Sequence, residues 1–353
     1  MPLSAPMSHP PSFPRTVVVH HRSGIGDLVW HIPYLRAIAA VSAGGKVSVI
    51  ARPSCRAAEV LAAEDCIEGV IEFDRKPRKS ERRVGRHDGL GAQLAFVGEL
   101  RAQRFERIYI FSGRARYALL ALLAGIPQRA GFGFSAGERL LLNRPPYIRP
   151  YDGPGNWVYP EATAFCVAHG LVDGPVVPRM KVLPDVLAEA GRDLAAFPGP
   201  RYAFSIGTSE PRKNWGAERF AALAAAIAER GGSVVLLGGP AEAEPANAVL
   251  QALPAGLRAR VLVSAQPSVQ RSAALLRHCQ YCVGNDTGVL NMAVANGIPA
   301  LGLFGATPPL AHDPLLQALA GEGMASITVD AVLARLAGLE APGMGAVAAG
   351  AAS

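Results

Sequence analysis

The sequence predicts an α/β protein of two doubly wound domains, each a parallel sheet with helices on both faces. The length of 353 residues exceeds the roughly 150 residues of an ordinary domain and favours two cores. Short β-branched runs alternate with Ala- and Leu-rich segments of about 10 to 14 residues, which is typical of βα units. Hydrophobic residues make up 50% of the chain and charged residues 18%, which excludes general disorder.

The first half begins with a strand, a turn and a helix. The β-branched run Thr16–His21 predicts the strand, Ser23–Gly26 the turn, and the apolar spacing in Asp27–Ala40 the helix. Further strands are predicted at Lys46–Ile50 and Arg107–Phe111, with helical patterns between them. This half therefore reads as repeated βα units.

The middle of the chain shows no clean period. Gly131–Pro184 is rich in glycine, proline and aromatic residues, which predicts loops, one helix near Glu161–His169 and the linker between domains. The predicted organisation is a disordered leader (1–14), an N-terminal domain (15–185), a C-terminal domain (186–338) and a disordered tail (339–353).

The second half alternates regularly between strands and helices, which predicts a doubly wound sheet with its ligand at the carboxyl ends of the strands. The predicted strands are Tyr202–Ile206, Ser233–Leu237, Arg260–Val263, Tyr281–Gly284 and Ala300–Phe304. The predicted helices are Ala217–Arg230, Ala243–Ala252, Val269–Cys279 and Thr287–Asn296.

No membrane span or secretory signal is predicted. The longest apolar stretch, Tyr117–Pro127, is about half of the roughly 20 residues that a membrane helix requires. Residues 1–14 contain five prolines and no apolar h-region, so we expect a cytoplasmic protein. Five cysteines fit a reduced compartment. Cys279 and Cys282 form a C-x-x-C without the second pair of a zinc site, and are interpreted as small buried hydrophobic residues.

The turn Ser23–Asp27 lies where a dinucleotide fold keeps its phosphate loop. Two departures exclude pyrophosphate binding: Val29 replaces the third glycine, and Asp27 places a negative charge at the helix start. Two interpretations of Asp27 remain open. It either caps the helix or acts as a general base presented at the carboxyl end of a strand.

The loop Thr208–Trp215 also joins a strand to a helix. Arg212 and Lys213 can neutralise a leaving phosphate, and Trp215 either holds the loop or stacks on a base. The alternative is a solvated, charged loop in which Trp215 is an apolar anchor.

Three more loops end strands at the same edge. In Gly238–Glu242 the glycines allow close approach of a ligand, and Glu242 is a candidate acceptor for ribose hydroxyls. In Gly284–Gly288 the first N–H groups of the helix suit an anion, although Asp286 can also be an ordinary N-cap. Phe304–Pro308 follows the last predicted strand. Together with Thr208–Trp215, these loops bring candidate ligand groups from four strand ends to one edge, which predicts a ligand site.

These segments resemble the ADP-heptose:lipopolysaccharide heptosyltransferases, glycosyltransferase family 9. The resemblance runs in order through most of residues 16–310, in Ser23–Asp27, Pro211–Trp215 with Glu218–Phe220, Leu237–Glu242, Asn285–Gly288 and Phe304–Thr307. It implies a GT-B fold, in which two Rossmann-like domains face each other across a cleft. It places the acceptor on the N-terminal domain and the nucleotide sugar on the C-terminal one.

The resemblance also implies roles for single residues. Asp27 would deprotonate the acceptor hydroxyl, Lys213 would neutralise the leaving diphosphate, Glu242 would bind the ribose, and the turn Asp286–Gly288 would hold the diphosphate and sugar. Asn291 stands where the family usually has histidine, and Asn cannot carry charge. The expected donor-binding set is Thr208, Arg212, Lys213, Gly239, Glu242, Asp286, Thr287, Gly288 and Asn291.

The implied activity is inverting transfer of a heptose, or a related sugar, from a nucleotide diphosphate donor such as ADP-heptose to a lipopolysaccharide core precursor. The alternatives are the same fold with another nucleotide sugar or a protein acceptor, and a non-catalytic nucleotide-sugar-binding protein. No cofactor and no metal is expected, because the chain has no Asp-x-Asp and Lys213 with helix N-termini can neutralise the diphosphate.

The formal charge of +7 and the pI near 9.4 indicate an anionic partner. Residues 75–86 carry seven cations and one anion, or +6. This run is either a solvated loop or a patch for an anionic glycolipid at the inner face of the cytoplasmic membrane. No nucleic-acid partner is expected, since no nucleic-acid-binding motif is present. The expected patch residues are Arg75, Lys76, Arg78, Lys79, Arg82, Arg83 and Arg86.

Overall fold

The computed structural model describes residues 13–77, 82–208, 210–265 and 268–340. It contains two parallel sheets, one of five strands in the order β3-β2-β1-β4-β5 and one of six in the order β11-β10-β9-β6-β7-β8. Parallel sheets are covered by helices on both faces. The central strands accordingly consist of continuous apolar runs, which are buried on both sides.

The helices and strands of the first sheet and its surroundings are β1 Thr16–His20, α1 Ile25–Ala40, β2 Val47–Ala51, α2 Ala57–Val60, β3 Ile67–Glu72, α3 Leu90–Ala102, β4 Arg107–Phe111, α4 Ala115–Leu123, β5 Gln128–Gly131, α5 Ala136–Leu141 and α6 Val158–Ala168. The second part of the chain contains α7 Pro184–Leu194, β6 Arg201–Ser205, α8 Ala217–Glu229, β7 Ser233–Gly238, α9 Ala243–Ala252, β8 Val261–Ala265, α10 Val269–Arg277, β9 Tyr281–Asn285, α11 Gly288–Ala295, β10 Ala300–Phe304, β11 Leu316–Ala320 and α12 Val329–Glu340.

Alternation along β1 separates the two faces of the first sheet. Val18 packs with α1 and α2, whereas Val17 and Val19 pack with α3 and α4. Right-handed crossovers explain this division, because the chain leaves β1 in one direction through β2 and β3 and returns to the other side through β4 and β5.

The two domains meet through helices. Helix α1 packs against α6 and α11, and α2 packs against α10, and these helices share one apolar cluster. Helices α8, α9 and α12 pack in a separate cluster on the far face of the second sheet. The layers therefore run from α3 and α4 through the first sheet, α1, α11 and the second sheet to α8 and α9.

Near its ends and at the domain junction, the structure differs from the expected boundaries. The boundary after residue 185 falls inside α7. The tail was expected from residue 339, but α12 continues to Glu340, where Leu339 is buried and the Tyr202 hydroxyl bonds the Glu340 carboxylate. At the other end the carbonyl of Pro14 accepts a hydrogen bond from the N–H of Ala43 at 3.1 Å. The rest of the expected leader (1–12) and tail (341–353) lies outside the described residues.

Across the described ranges, no helix combines the length and apolar character needed to cross a bilayer. Both cysteines of the C-x-x-C are free and buried, and burial raises the pKa of the Cys279 thiol to about 12. They are the small buried hydrophobic residues that the sequence predicts.

Candidate active site

The site lies where the carboxyl ends of both sheets meet, at the contact between the first turns of α1 and α11. A Cβ on Gly288 would lie 3.3 Å from the backbone N of Gly26, and one on Gly26 would lie 2.5 Å from Nδ2 of Asn291. Glycine at these positions lets the two backbones approach closely. The contact brings the expected base on α1 next to the expected diphosphate turn before α11.

Asp27 is the third residue of α1, whose N-cap is Gly24. It therefore does not cap the helix, although the N–H of Gly24 hydrogen-bonds its carboxylate. Burial raises the pKa of Asp27 above its ordinary value, and nearby Asp286 raises it further, while Arg22 opposes both. A carboxylate with a raised pKa in a cleft suits a general base.

Two side chains next to Asp27 were not predicted. Arg22 Nε lies 3.6 Å from Asp27 Oδ2, and its guanidinium lies over the ring of Trp157 at 5.0 Å. Both residues line a small cavity together with His21, Glu161 and others. Arg22 directly precedes the predicted turn Ser23–Asp27 and belongs to no motif, and Trp157 comes from a loop far along the chain.

Lys213 and Asp286 form an ion pair on the side of the cleft that belongs to the second domain. Lys213 Nζ lies 3.0 Å from Asp286 Oδ2 and 3.5 Å from Glu210 Oε1. The hydroxyl of Thr307 donates to the same Asp286 oxygen at 3.0 Å. Side-chain exposure is 15% for Lys213 and 17% for Asp286, so both groups are partly desolvated and their charges act strongly on a ligand.

Trp215 anchors the loop that carries Lys213. Its side chain is fully buried, and its indole N–H donates to the carbonyl of Ile327 at 2.8 Å. Its backbone N–H donates to Asn285 Oδ1 at 3.1 Å, which ties this loop to the end of β9. The anchor interpretation of Trp215 is thereby confirmed, and the stacking interpretation is wrong because the ring has no free face.

Glu242 lies against the glycines that end β6 and β7. The N–H of Gly239 donates to Glu242 Oε2 at 2.7 Å. A Cβ on Gly238 would lie 2.4 Å from the Cβ of Glu242, and one on Gly207 would lie 3.1 Å from its Cγ. The glycines at these strand ends therefore make room for this carboxylate.

The turn before α11 has Thr287, not Asp286, as its N-cap. The N-cap interpretation of Asp286 is wrong, because its carboxylate bonds Lys213 and Thr307 instead. The hydroxyl of Thr287 bonds Ser205 Oγ at 2.6 Å, which leaves it off the helix end. The first N–H groups of α11, beginning at Gly288, point out of the helix toward the cleft contact.

Asn291 lies at the interface of the two domains. It is 5% exposed, and its Nδ2 donates weakly to the carbonyl of Thr287 at 3.4 Å. Its Oδ1 is buried and has no hydrogen-bond partner among the described residues. An unpaired buried acceptor is uncommon, and here it lies beside Gly26, one residue before Asp27.

The other expected donor residues lie on the rim. Thr208 Oγ1 donates to the carbonyl of Glu210 at 2.7 Å and so shapes the loop. Arg212 is paired with Glu210 at 2.8 Å and donates to the carbonyl of Ala306 at 2.7 Å. With 61% of its side chain exposed, Arg212 lies at the mouth of the cleft.

His312 is a further unpredicted side chain at the domain contact. Its ring lies 5.0 Å from that of Trp30 on α1, and neither ring nitrogen has a hydrogen-bond partner in the described part of the chain. Burial lowers its pKa to about 4, and Asp286 opposes this. Only the folded arrangement reveals it, because it follows Phe304–Thr307 outside every recognised motif.

Two arginines of the expected basic patch form ion pairs with acidic side chains of the same domain. Arg83 pairs with Asp74, and Arg86 lies 3.6 Å from Glu99. Lys76 and Arg82 are exposed and Arg75 is half-buried, while Arg78 and Lys79 lie outside the described residues. The loop follows β3, at the same sheet edge as Asp27.

No group of three or more metal-ligating side chains occurs within the ranges that the structure describes. The acidic side chains near the cleft are each engaged by a cation or by backbone N–H groups, as described above for Asp27, Asp286 and Glu242.

Two doubly wound domains that bring a buried carboxylate and the Lys213–Asp286 ion pair to one cleft fit a glycosyltransferase of the GT-B class. The particular family follows from the sequence: residues 93–321 match the family model "Glycosyltransferase family 9 (heptosyltransferase)". The chain belongs to this family. Lys213, Glu242 and Asp286 fall inside the matched segment, and Asp27 precedes it.

Curated relatives include lipopolysaccharide heptosyltransferase 2 of Escherichia coli, 26% identical over 63% of this chain and 68% of that protein. Lipopolysaccharide heptosyltransferase 1 of Pseudomonas aeruginosa is 29% identical over 83% of this chain and 79% of that protein. The solved E. coli ADP-heptose lps heptosyltransferase II has a TM-score of 0.73 at 22% identity, over 92% of this chain and 98% of that one. This likeness confirms the predicted GT-B fold.

Proposed function

We propose that the protein transfers a heptose from ADP-heptose to a lipopolysaccharide core precursor, with inversion at the anomeric carbon. The observation that carries the proposal is the close contact of Gly26 with Gly288, which puts Asp27 within electrostatic reach of Asp286, the partner of Lys213. The relatives support the substrates, since two of them are lipopolysaccharide heptosyltransferases and a similar solved structure, E. coli heptosyltransferase WaaC, holds ADP-2-deoxy-2-fluoro heptose.

In this proposal Asp27 accepts the proton of the attacking hydroxyl. The acceptor oxygen bonds to the anomeric carbon, the bond from that carbon to the diphosphate oxygen breaks, and ADP leaves. Inversion requires the base and the leaving group on opposite faces of the sugar ring. The presence of Asp27 on α1 of one domain and of the turn Asp286–Gly288 at the start of α11 in the other supports this arrangement.

The donor side neutralises the leaving diphosphate. Lys213 carries three N–H donors and uses two on Asp286 and Glu210, which leaves one for a phosphate oxygen. The N–H groups at the start of α11 add a positive partial charge, and Arg212 adds a cation at the rim. Glu242 accepts the ribose hydroxyls, while Thr208, Gly239 and Asn291 complete the donor pocket. No metal takes part in this proposal.

The acceptor is a lipid-linked, anionic glycan, and the enzyme meets it at the inner face of the cytoplasmic membrane. The cations of the 75–86 run support this part of the proposal, since each cation near an anionic leaflet contributes about 1 kcal/mol. Their loop opens on the sheet edge that carries Asp27.

The test is release of ADP from ADP-heptose in the presence of a deacylated core acceptor, for the wild type and for Asp27→Asn. Removal of a general base lowers kcat by about 10²- to 10⁴-fold, and we expect a loss in this range. Asp173→Asn, an exposed carboxylate outside the cleft, is the matched control and retains the wild-type rate.

A wild-type rate in Asp27→Asn would remove Asp27 from the role of base. ADP-heptose and the core acceptor are tested beside other nucleotide sugars and a protein acceptor. Turnover only with one of those would contradict the proposed substrates, and binding without turnover by any pair would make the protein a nucleotide-sugar-binding protein.

A further inference from the structure

The outer helices of the N-terminal domain expose an unusual number of leucines. Twelve large hydrophobic residues are exposed among those the structure describes, and seven of them lie between residues 84 and 140. Leu90 and Leu140 are 77% and 86% exposed. We call this set the outer leucine face; it consists of Val84, Leu90, Leu94, Leu119, Leu122, Leu123 and Leu140.

The spacing in α4 makes this a continuous stripe. Leu119, Leu122 and Leu123 stand at positions i, i+3 and i+4, on the side away from buried Leu120. Helix α4 packs against α3 on one side and α5 on the other, and both neighbours expose leucines as well. A helix that is apolar on both its inner and outer sides requires a second apolar environment.

Positive charge is concentrated in the same part of the chain. Residues 75–144 contain fifteen arginines and lysines and five acidic residues, a net charge of +10, so the remainder of the chain carries −3. The excess thus extends beyond the 75–86 run, to which the sequence analysis confined it. Exposed Arg82, Arg86, Arg104, Arg114 and Arg139 belong to this region.

The layer order places this surface at one end of the molecule. Helices α3 and α4 cover the face of the first sheet that is opposite α1, and the second domain packs on the α1 side. The strand ends that lead into α3, α4 and α5 lie at the same sheet edge as the end of β1. A planar surface that lies against the outer leucine face would therefore also lie next to the acceptor side of the cleft.

We propose that the outer leucine face docks on an anionic lipid bilayer, with its leucines at the boundary of head groups and acyl chains and the surrounding cations on the anionic head groups. Apolar side chains with nearby cations are the combination that binds such interfaces. The proposal rests on the proposed function in one respect: the lipid-linked acceptor is then presented to Asp27 from that bilayer.

Two other occupants fit less well. A second copy of the chain would bring two surfaces of high positive charge together, which opposes association. Single-stranded nucleic acid uses aromatic side chains for stacking, and all seven exposed residues here are aliphatic.

The test is sedimentation with vesicles of phosphatidylethanolamine and phosphatidylglycerol, and with neutral phosphatidylcholine vesicles. We expect the wild type to bind the anionic vesicles and to bind the neutral ones at least about tenfold less. Leu119→Gln/Leu122→Gln removes two leucines that are 43% and 42% exposed while keeping a good helix former. We expect about tenfold weaker binding from the lost apolar area.

The matched control is Val167→Gln/Val177→Gln, which changes two residues that are 40% and 37% exposed outside the face and keeps wild-type binding. Thermal unfolding confirms that both variants are folded. Wild-type binding by the leucine variant overturns the proposal, as does a wild type that ignores anionic vesicles. A wild-type dimer that the leucine variant converts to a monomer overturns it in favour of a second copy.

This outcome is separable from the proposed activity. Turnover with a deacylated acceptor does not require a bilayer, so the leucine variant keeps its rate there and loses rate only with the acceptor embedded in vesicles. An inactive wild type that binds anionic vesicles contradicts the proposed heptosyl transfer alone. An active wild type that does not bind them contradicts the docking surface and the proposed membrane contact, and leaves the transfer reaction standing.

Discussion

The ionisation of Asp27 depends on a balance between burial and one neighbouring cation. Burial and Asp286 raise its pKa, and Arg22 at 3.6 Å lowers it. A base must be ionised to accept a proton, so in the proposed mechanism Arg22 favours the ionised form of Asp27 against the effect of burial. The guanidinium is held in turn over Trp157, which fixes it beside the carboxylate.

Removal of this cation shifts the pH dependence of catalysis. In Arg22→Gln the pKa of Asp27 rises, because burial and Asp286 raise it and only the hydrogen bond from the Gly24 N–H still opposes them. A smaller fraction of Asp27 is ionised at a given pH, so the acidic limb of the kcat profile moves to higher pH while the rate at high pH is kept.

The measurement is kcat from pH 5 to 9 for wild type, Arg22→Gln and the control Arg114→Gln. Arg114 lies at the same sheet edge, after β4, and its loss leaves the limb in place. A limb that stays fixed in Arg22→Gln would show that Arg22 does not act on the base.

At the scale of elements, the position of Lys213 depends on a single anchored loop. The segment between β6 and α8 begins a short 3-10 turn at Pro211 and ends at Trp215, whose ring is buried with α8. The hydrogen bonds of Trp215 link this loop to Asn285 at the end of β9 and to Ile327 in the segment before α12. The buried ring and these two bonds hold the part of the loop next to Lys213 against the core.

Trp215→Phe tests this anchor. The substitution removes the donor to Ile327 and leaves a space beside Phe220, so we expect a loss of about 2–4 kcal/mol in the free energy of unfolding. Urea denaturation measures it. Trp157→Phe, in a tryptophan 46% exposed, serves for comparison and changes stability by less than about 0.5 kcal/mol. Equal effects would show that Trp215 is not an anchor.

At the scale of the whole molecule, neither domain contains a complete site. The first contributes Asp27 and Arg22, and the second contributes Lys213, Asp286 and the N-terminus of α11. In the proposed mechanism, the cations and helix dipole on the second domain neutralise the diphosphate without a metal ion. The proposal thus divides the reaction between the two domains, with deprotonation on the first and departure of the leaving group on the second.

Chelation tests this division of charge. We expect ADP release at the wild-type rate in EDTA, and no stimulation when Mg²⁺ or Mn²⁺ is added. The assay is the same ADP release with dialysed enzyme. Loss of turnover in EDTA that either metal restores would mean that a cation supplements Lys213.

The fold was predictable where strands are central and apolar. All predicted strands are present within a residue or two, whereas β3, β5 and β11 were missed. Each of these three lies at the edge of its sheet, where one side of a strand is unpaired and its residues need not be apolar, so the pattern is weak. Helix α7, which lies along the chain between the strands of the two sheets, was not predicted either.

The candidate site was predictable where its residues follow strands. Asp27, Lys213, Glu242 and Asp286 all come directly after a strand, and parallel topology brings such residues to one edge. Arg22 lies beside the Asp27 carboxylate because of the shape of the turn between them, which the sequence does not specify. Trp157 and His312 were missed because packing between distant segments, not spacing along the chain, brings them to the cleft.

The glycine contact between α1 and α11 has a mechanical consequence. Where Gly26 and Gly288 meet, the domains touch one residue away from both Asp27 and the diphosphate turn. A rotation about that point displaces each atom in proportion to its distance from the point. If the domains rotate about this contact, we expect the outer rims of the cleft to separate widely while Asp27 and the turn Asp286–Gly288 keep nearly the same separation.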